Sequence, residues 1–299
     1  MQIRDARPDL VVLIDNPGFN LHMAARIHAL GIPLAYYIAP QVWAWAPKRI
    51  EKIKKYIKKV LVVFEFEKAF YEKHGVPVAF VGHPLKDLIA EEVAAEGAVV
   101  VGEKSNGASP SICLLPGSRK GELKMLFSVF VKTAKRLREK LPQATFDLIK
   151  APTLPLSYYE RLLQEDTTRS IRLVTDHAYA VIRRSALAIV CSGTATLECA
   201  LLGTPMIISN KGTLITYVAA RQLIRVPYLG LPNLVLGERK IPELLQFDAT
   251  PEKLAAESLR LLTDSQARKA MQEDLRRVSS KLGPPGATRR AAAEILKLL

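Results

Sequence analysis

The sequence has little that would bind a structural metal, cross a bilayer or be stapled by disulfides. Its 299 residues include three cysteines, Cys113, Cys191 and Cys199. None forms a CxxC pair and all lie in apolar runs. This excludes a zinc ribbon and a disulfide scaffold, and suits buried free thiols in a reducing compartment. No apolar run reaches the ~18–20 residues that span a bilayer. The start, Met1-Gln2-Ile3-Arg4-Asp5, does not read as a signal peptide. The expectation is a cytoplasmic protein. Aromatic residues are 7% of the chain, with two tryptophans. There is no zinc spacing, no RNA-binding sheet motif and no recognition-helix signature, so nucleic acid is not an expected partner. Acids are also short: 29 Asp and Glu stand against 43 Lys and Arg, a formal net charge of +14. That excess favours an anionic partner, here a phosphorylated substrate or a membrane surface.

What the sequence does have is apolar strands followed by turns and helices. Hydrophobic residues are 49% of the chain, enough for two domain cores. Ser111-Ile112-Cys113-Leu114-Leu115 reads as a buried strand. Leu123, Leu126, Phe127, Phe130, Val131, Ala134, Leu137 and Leu141 then recur at helical spacing. Between them stands Pro116-Gly117-Ser118-Arg119. Free backbone N–H groups at a helix start make an anion site. Gly117 admits close approach of a ligand. Ser118 offers a cap or a hydroxyl, and Arg119 a guanidinium fork that fits phosphate. The plainer alternative is an ordinary capped turn with Arg119 in solvent.

Residues 9–15 are a second such run, closed by Asp15 and broken by Asn16-Pro17-Gly18. The helical pattern of Leu21, Ala24, Ala25, Ile27 and Leu30 follows. Asp15 is thus expected at a strand's carboxyl end, where open α/β sheets bind ligands; it equally suits a turn cap. Further strands are expected at 34–38, 60–64 and 78–81. After the second of these four comes Gln41-Val42-Trp43-Ala44-Trp45, where tryptophans either wall a sugar or acyl site or pack as core. Residues 48–59 place Lys48, Arg49, Lys52, Lys54, Lys55, Lys58 and Lys59 around Ile50, Ile53 and Ile57. This is a solvated face, or one that rests on anionic headgroups. His83 ends the fourth strand, as a site residue or a structural one.

Residues 91–110 lack periodicity and read as a linker. Beyond them strands are expected at 111–115, 144–149, 171–174, 186–190 and 205–208, alternating with helices. Such alternation implies a parallel, doubly wound sheet. Ser192-Gly193-Thr194 is a second glycine turn ahead of a helix. Glu198, one turn later, suits a ribose diol or merely the helix dipole. Leu214, Ile215, Tyr217, Val218, Leu223 and Ile224, with Arg221 and Arg225, read as core or as an interfacial helix. Leu231-Pro232-Asn233-Leu234 reads as a loop, and 251–299 as helical with a break at 283–286.

Several strings together resemble the lipid-A-disaccharide synthase family of GT-B glycosyltransferases. They are 14–20 (Ile-Asp-Asn-Pro-Gly-Phe-Asn), 40–45 (Pro-Gln-Val-Trp-Ala-Trp), 66–71, Gly82-His83-Pro84, Leu115–Arg119, 192–198 and 231–234. The resemblance runs in family order from about residue 8 to residue 260. It implies an α/β fold of two doubly wound, Rossmann-like domains facing a cleft, with the first domain incomplete. The expected division is an acceptor-side domain over 1–106, a UDP-sugar domain over 107–282, and a carboxyl-terminal helix over 283–299 that packs back on the first domain. The family's opening Ser-Gly-Asp segment has no counterpart, so the chain is expected to be amino-terminally shortened.

The implied reaction moves 2,3-diacylglucosamine from UDP to 2,3-diacylglucosamine 1-phosphate with inversion, on the cytoplasmic face of the inner membrane, with no metal or other cofactor. The implied base is Asp15. Gly117, Ser118, Arg119, Ser192, Gly193, Thr194, Glu198 and Asn233 are implied for UDP, and Gln41, Trp43, Trp45 and His83 for the acceptor side. The rival expectations are a UDP-sugar-binding protein without turnover, and another UDP-GlcNAc-type transferase or epimerase.

Overall fold

In the computed structural model the described residues are 2–45, 47–95, 109–164, 166, 170–213, 217 and 226–299; the side chains of Gln2, Trp45 and Pro47 are also outside the description. The chain divides into two compact units. One holds Met1–Leu88 with Ser280–Leu299, the other Ile89–Ala220 with Pro227–Ser279.

The first unit is a four-stranded sheet in the order β1 (Val11–Ile14), β2 (Leu34–Tyr37), β3 (Lys59–Val62), β4 (Val78–Phe80). Every pairing is parallel, for example Val12 with Ala35 and Val60 with Val78. Leu34, Ala35, Tyr36, Val60, Leu61 and Val62 are all fully buried. That is why these strands read as continuous apolar runs rather than alternating ones. A short helix α1 (Gln2–Ala6) precedes the sheet, and α2 (Pro17–His28), α3 (Val42–Trp45), α4 (Ile50–Tyr56) and α5 (Glu65–Lys73) connect its strands. In and after α4, Ile50, Ile53 and Ile57 are buried while Lys52, Lys54 and Lys55 face solvent.

Helix α6 (Leu85–Ala95) follows β4. The second unit is a six-stranded parallel sheet. It comprises β5 (Ser111–Leu115), β6 (Thr145–Ile149), β7 (Ile171–Val174), β8 (Leu187–Cys191), β9 (Met206–Asn210) and β10 (Glu243–Leu245), in the order β10-β9-β8-β5-β6-β7. Helices α7 (Lys120–Lys140), α8 (Leu156–Leu163), α9 (Ala178–Arg184) and α10 (Ala195–Leu201) alternate with the strands. The stretch expected to be a loop around residue 233 is instead helix α11 (Leu231–Leu236), with a proline in its first turn and Gly237 closing it at φ 76°. Proline suits a helix start and glycine its end, so the turn residues bound a short helix here. Strand β10 has three residues and no periodicity to read, and was not expected.

Helices α12 (Pro251–Thr263), α13 (Ser265–Lys281) and α14 (Ala287–Leu296) complete the chain. The last belongs to the first unit. Ala291 packs with Leu61 and Val81, Arg290 Nε donates to the Val81 carbonyl at 2.9 Å, and Glu294 pairs with Lys59. No helix among the described residues is long and apolar enough to cross a membrane. The proposed interfacial segment over 213–229 lies largely outside the described residues.

Candidate active site

Strand β5 ends at Leu115 and the chain turns through Pro116–Arg119 into α7. Gly117 has φ 118°, which disfavours any side chain, and a Cβ there would stand 2.5 Å from Glu122 Oε2. The expected open amides of this turn are not open. The Glu122 carboxylate accepts the Ser118 N–H at 2.9 Å and the Arg119 N–H at 3.2 Å. It also takes the Arg119 guanidinium at 2.7 Å. Arg119 is the N-cap residue and Glu122 reaches back to it from the third helical position, the reciprocal half of a capping box. The turn is braced by Thr153, whose hydroxyl donates to the Ser118 carbonyl at 2.7 Å.

The second glycine turn follows β8. Ser192 donates its hydroxyl to the Leu229 carbonyl at 2.8 Å, Gly193 has φ 151°, and Thr196 donates its hydroxyl back to the Gly193 carbonyl at 2.7 Å. Glu198 follows in α10. Burial raises its pKa to about 6, and the Glu92 carboxylate adds to the shift. Burial likewise pushes the neighbouring Tyr179 phenol well up.

Both turns line one cavity of about 480 Å³. Gly117, Ser118, Arg119, Ser192, Gly193, Thr194 and Glu198 all face it, with Lys150, Thr175, His177 and Tyr179 completing much of the wall. It opens at the carboxyl ends of β5 to β8. From β5 the chain proceeds to β6 and β7 on one side and returns to β8 on the other. This is the topological switch point, where open parallel sheets hold ligands.

Asn233, also expected at the UDP site, is not among the residues that line this cavity. It is fully buried. Its amide donates to the Ile241 carbonyl and to Glu243 Oε1, each at 2.8 Å. Its carbonyl oxygen accepts the Lys240 and Ile241 N–H groups at 3.0 and 2.9 Å. Glu243 in turn accepts the Leu229 and Gly230 N–H groups, both at 3.0 Å. Asn233 therefore spends its hydrogen bonds anchoring the 229–230 segment that receives the Ser192 hydroxyl. Its isolation among apolar neighbours marked a buried polar anchor.

In the first unit Asp15 lies at the end of β1, exposed, at φ 47°, followed by Asn16 at φ 39°. Two consecutive non-glycine residues in this region store strain. The Asp15 carbonyl is pinned by the Asn20 amide at 2.6 Å and the Tyr36 hydroxyl at 2.7 Å. Trp43 is half-buried. It donates to Glu67 Oε1 at 3.0 Å and meets Phe66 edge-on at 4.9 Å, so it packs as core rather than as an open wall. The Trp45 side chain lies outside the described residues. Gln41 is exposed. His83 accepts the Leu85 N–H on Nδ1 at 3.2 Å, and burial lowers its pKa to about 4. It serves the start of α6 as a neutral cap.

A family model described as lipid-A-disaccharide synthetase matches residues 1–295. The lipid-A-disaccharide synthase of Syntrophus aciditrophicus is 42% identical over 294 residues, covering 98% of this chain and 76% of that protein. That of Geobacter sulfurreducens is 40% identical over 295 residues, with the same coverage of each. Among solved structures, UDP-GlcNAc 2-epimerase from Neisseria meningitidis bound to UDP-GlcNAc aligns with a TM-score of 0.69 at 12% identity, over 99% of this chain and 78% of that one. The S. aureus MnaA–UDP co-structure gives 0.67 at 13%, over 100% and 79%. At such identities the structural likeness speaks for the fold alone. It is the α/β GT-B fold, and by its sequence the chain belongs to the lipid-A-disaccharide synthase family.

Proposed function

We propose that this protein transfers 2,3-diacylglucosamine from its UDP carrier to the 6-hydroxyl of 2,3-diacylglucosamine 1-phosphate, releasing UDP and forming a β-1,6 disaccharide. The observation that carries this reading is the cavity at the switch point, where two glycine turns, Arg119 and Glu198 meet. In the reaction the bond from the sugar's anomeric carbon to the diphosphate breaks as the acceptor oxygen attacks from the opposite face. Charge grows on the departing diphosphate. The Arg119 guanidinium, Lys150 and the Gly193–Thr194 backbone are suited to offset it. Glu198 accepts the ribose hydroxyls. Inversion also requires a base for the acceptor proton, and Asp15 is the residue proposed for it.

The acceptor's acyl chains and phosphate suit a peripheral contact with an anionic membrane. The exposed Lys48, Lys52, Lys54 and Lys55 are the proposed contact, each worth about 1 kcal/mol near such a surface. Lys58 and Lys59 are already engaged, by the Leu298 carbonyl and by Glu294.

The deciding experiment supplies both diacylated substrates in detergent and follows disaccharide 1-phosphate and UDP by mass spectrometry. Equal yields of both are expected. UDP release without disaccharide, or UDP binding without either product, would replace transfer by hydrolysis or by carriage of the nucleotide sugar.

A further inference from the structure

We propose that Glu122 is a built-in competitor for the nucleotide's phosphates, and that it sets how much negative charge a ligand must carry to be held. The inference rests on the nucleotide reading of the cavity. Glu122 Oε2 takes two neighbouring backbone amides, those of Ser118 and Arg119, at 2.9 and 3.2 Å, while Oε1 takes the Arg119 guanidinium at 2.7 Å. Two amides on one anionic oxygen and a guanidinium on the other is the pattern a phosphate would claim at this turn. The carboxylate stands in the wall of the same cavity. Its side chain is 23% exposed against 82% for Arg119, so the acid is sheltered while the guanidinium paired with it lies open to solvent.

Gly117 fits this arrangement. A Cβ there would meet not only Glu122 Oε2 but also Glu122 Cβ, at 2.6 Å. The glycine makes room for the internal carboxylate as well as for any ligand. A phosphate entering the turn must therefore displace a charged acceptor from Arg119 or share the donors against like-charge repulsion. A diphosphate can meet that demand better than a monophosphate, and an uncharged nucleoside does not face it. After sugar transfer the same carboxylate can retake the donors as UDP leaves.

The test is calorimetry of UDP, UMP and uridine with the full chain and with Glu122→Gln. The glutamine keeps an acceptor for the helix cap and removes the charge. Glu122→Gln is expected to bind UDP about tenfold more tightly, the scale of one charge-assisted contact, and to bind uridine unchanged. Glu122→Asp keeps the charge but shortens the reach, and is expected to tighten UDP by less. Thermal melting establishes that each variant is folded. Unchanged or weaker UDP binding by both folded variants, with wild type binding UDP, would overturn the inference and leave the nucleotide reading intact. Failure of the wild type to bind UDP would overturn the nucleotide reading and this inference with it.

Discussion

Two strand-to-helix turns in this molecule start from nearly the same recipe and end in opposite arrangements. Strand β1 runs into Asp15-Asn16-Pro17-Gly18, and β5 into Pro116-Gly117-Ser118-Arg119. In the second unit the left-handed residue is Gly117, so the turn adopts its shape without strain, and a glutamate closes over the amides. In the first unit the left-handed residues are Asp15 and Asn16, while Gly18 lies in α2 with open space around it. There the strain is held in place by two hydrogen bonds to the Asp15 carbonyl, which leaves the carboxyl side exposed. Ile14 and Phe19 around it are 56% and 61% exposed. One turn is shaped around an anion acceptor; the other holds an acid still beside exposed apolar surface. That contrast supports a division of labour in which the first carries the base and the acyl-bearing acceptor and the second carries the nucleotide.

The sharpest way to break the contrast is Asp15→Asn. The amide preserves shape and leaves the backbone pins intact, but it cannot take a proton. Turnover is expected to fall about 10²–10⁴-fold, the usual cost of losing a general base, with UDP affinity unchanged in calorimetry. Loss of UDP affinity in step with rate would place Asp15 on the nucleotide side and erase the distinction.

Asn233→Ala probes the support behind the second turn. Four hydrogen bonds vanish, and the Lys240 and Ile241 N–H groups lose their acceptor. A loss of about 2–4 kcal/mol of stability is expected from unsatisfied buried groups, read by urea denaturation. UDP affinity should follow only through the 229–230 segment. If stability holds while affinity collapses, Asn233 is a ligand contact after all.

Arg119→Ala comes next. Removing a charge-assisted contact should weaken UDP by about 1.5–3 kcal/mol and leave uridine unaffected. Uridine weakening as much as UDP would show that the turn itself had moved.

These residues also show what was legible in advance. The strands and the second unit's glycine turns were readable, because parallel strands buried on both faces leave uninterrupted apolar runs and Gly117 and Gly193 mark where the backbone turns left-handed. Of the second-unit residues expected at the site, Gly117, Ser118, Arg119, Ser192, Gly193, Thr194 and Glu198 converge on one cavity. Asn233 did not, because a buried amide and a ligand-binding amide look alike in sequence; only its four hydrogen bonds, to residues as far on as Glu243, tell them apart. Glu122 had a readable signal, the three-residue spacing from Arg119 that fits a capping box. Glu67 was hidden differently. Its spacing from Phe64 marks a helix start, yet nothing local says that Trp43, distant in sequence, donates to it.

Glu67 gives the mildest test, one that should leave nucleotide binding alone and distinguish the two units by pH. It is 1% exposed and accepts Trp43 Nε1 and, at 3.2 Å, the Phe64 N–H. Burial raises its pKa to about 7, and those hydrogen bonds hold it from going higher. A carboxyl group whose folded pKa exceeds its unfolded value favours folding when protonated. Its stabilising effect is therefore full below about pH 4.5 and is lost as pH rises through about 7. Between pH 5 and 8 the wild type should lose a few °C of melting temperature that Glu67→Gln keeps, on the scale of ~2–4 °C per kcal/mol for a chain of this size. Trp43 emission should shift over the same range in the wild type and not in the variant, because the acceptor of its indole N–H changes charge. Glu198 in the second unit titrates lower, near 6, and its ionisation should be visible in UDP affinity rather than in tryptophan emission. A Trp43 signal that stays flat from pH 5 to 8 would mean Glu67 keeps one protonation state throughout, and the pH response of the first unit would then have to come from elsewhere.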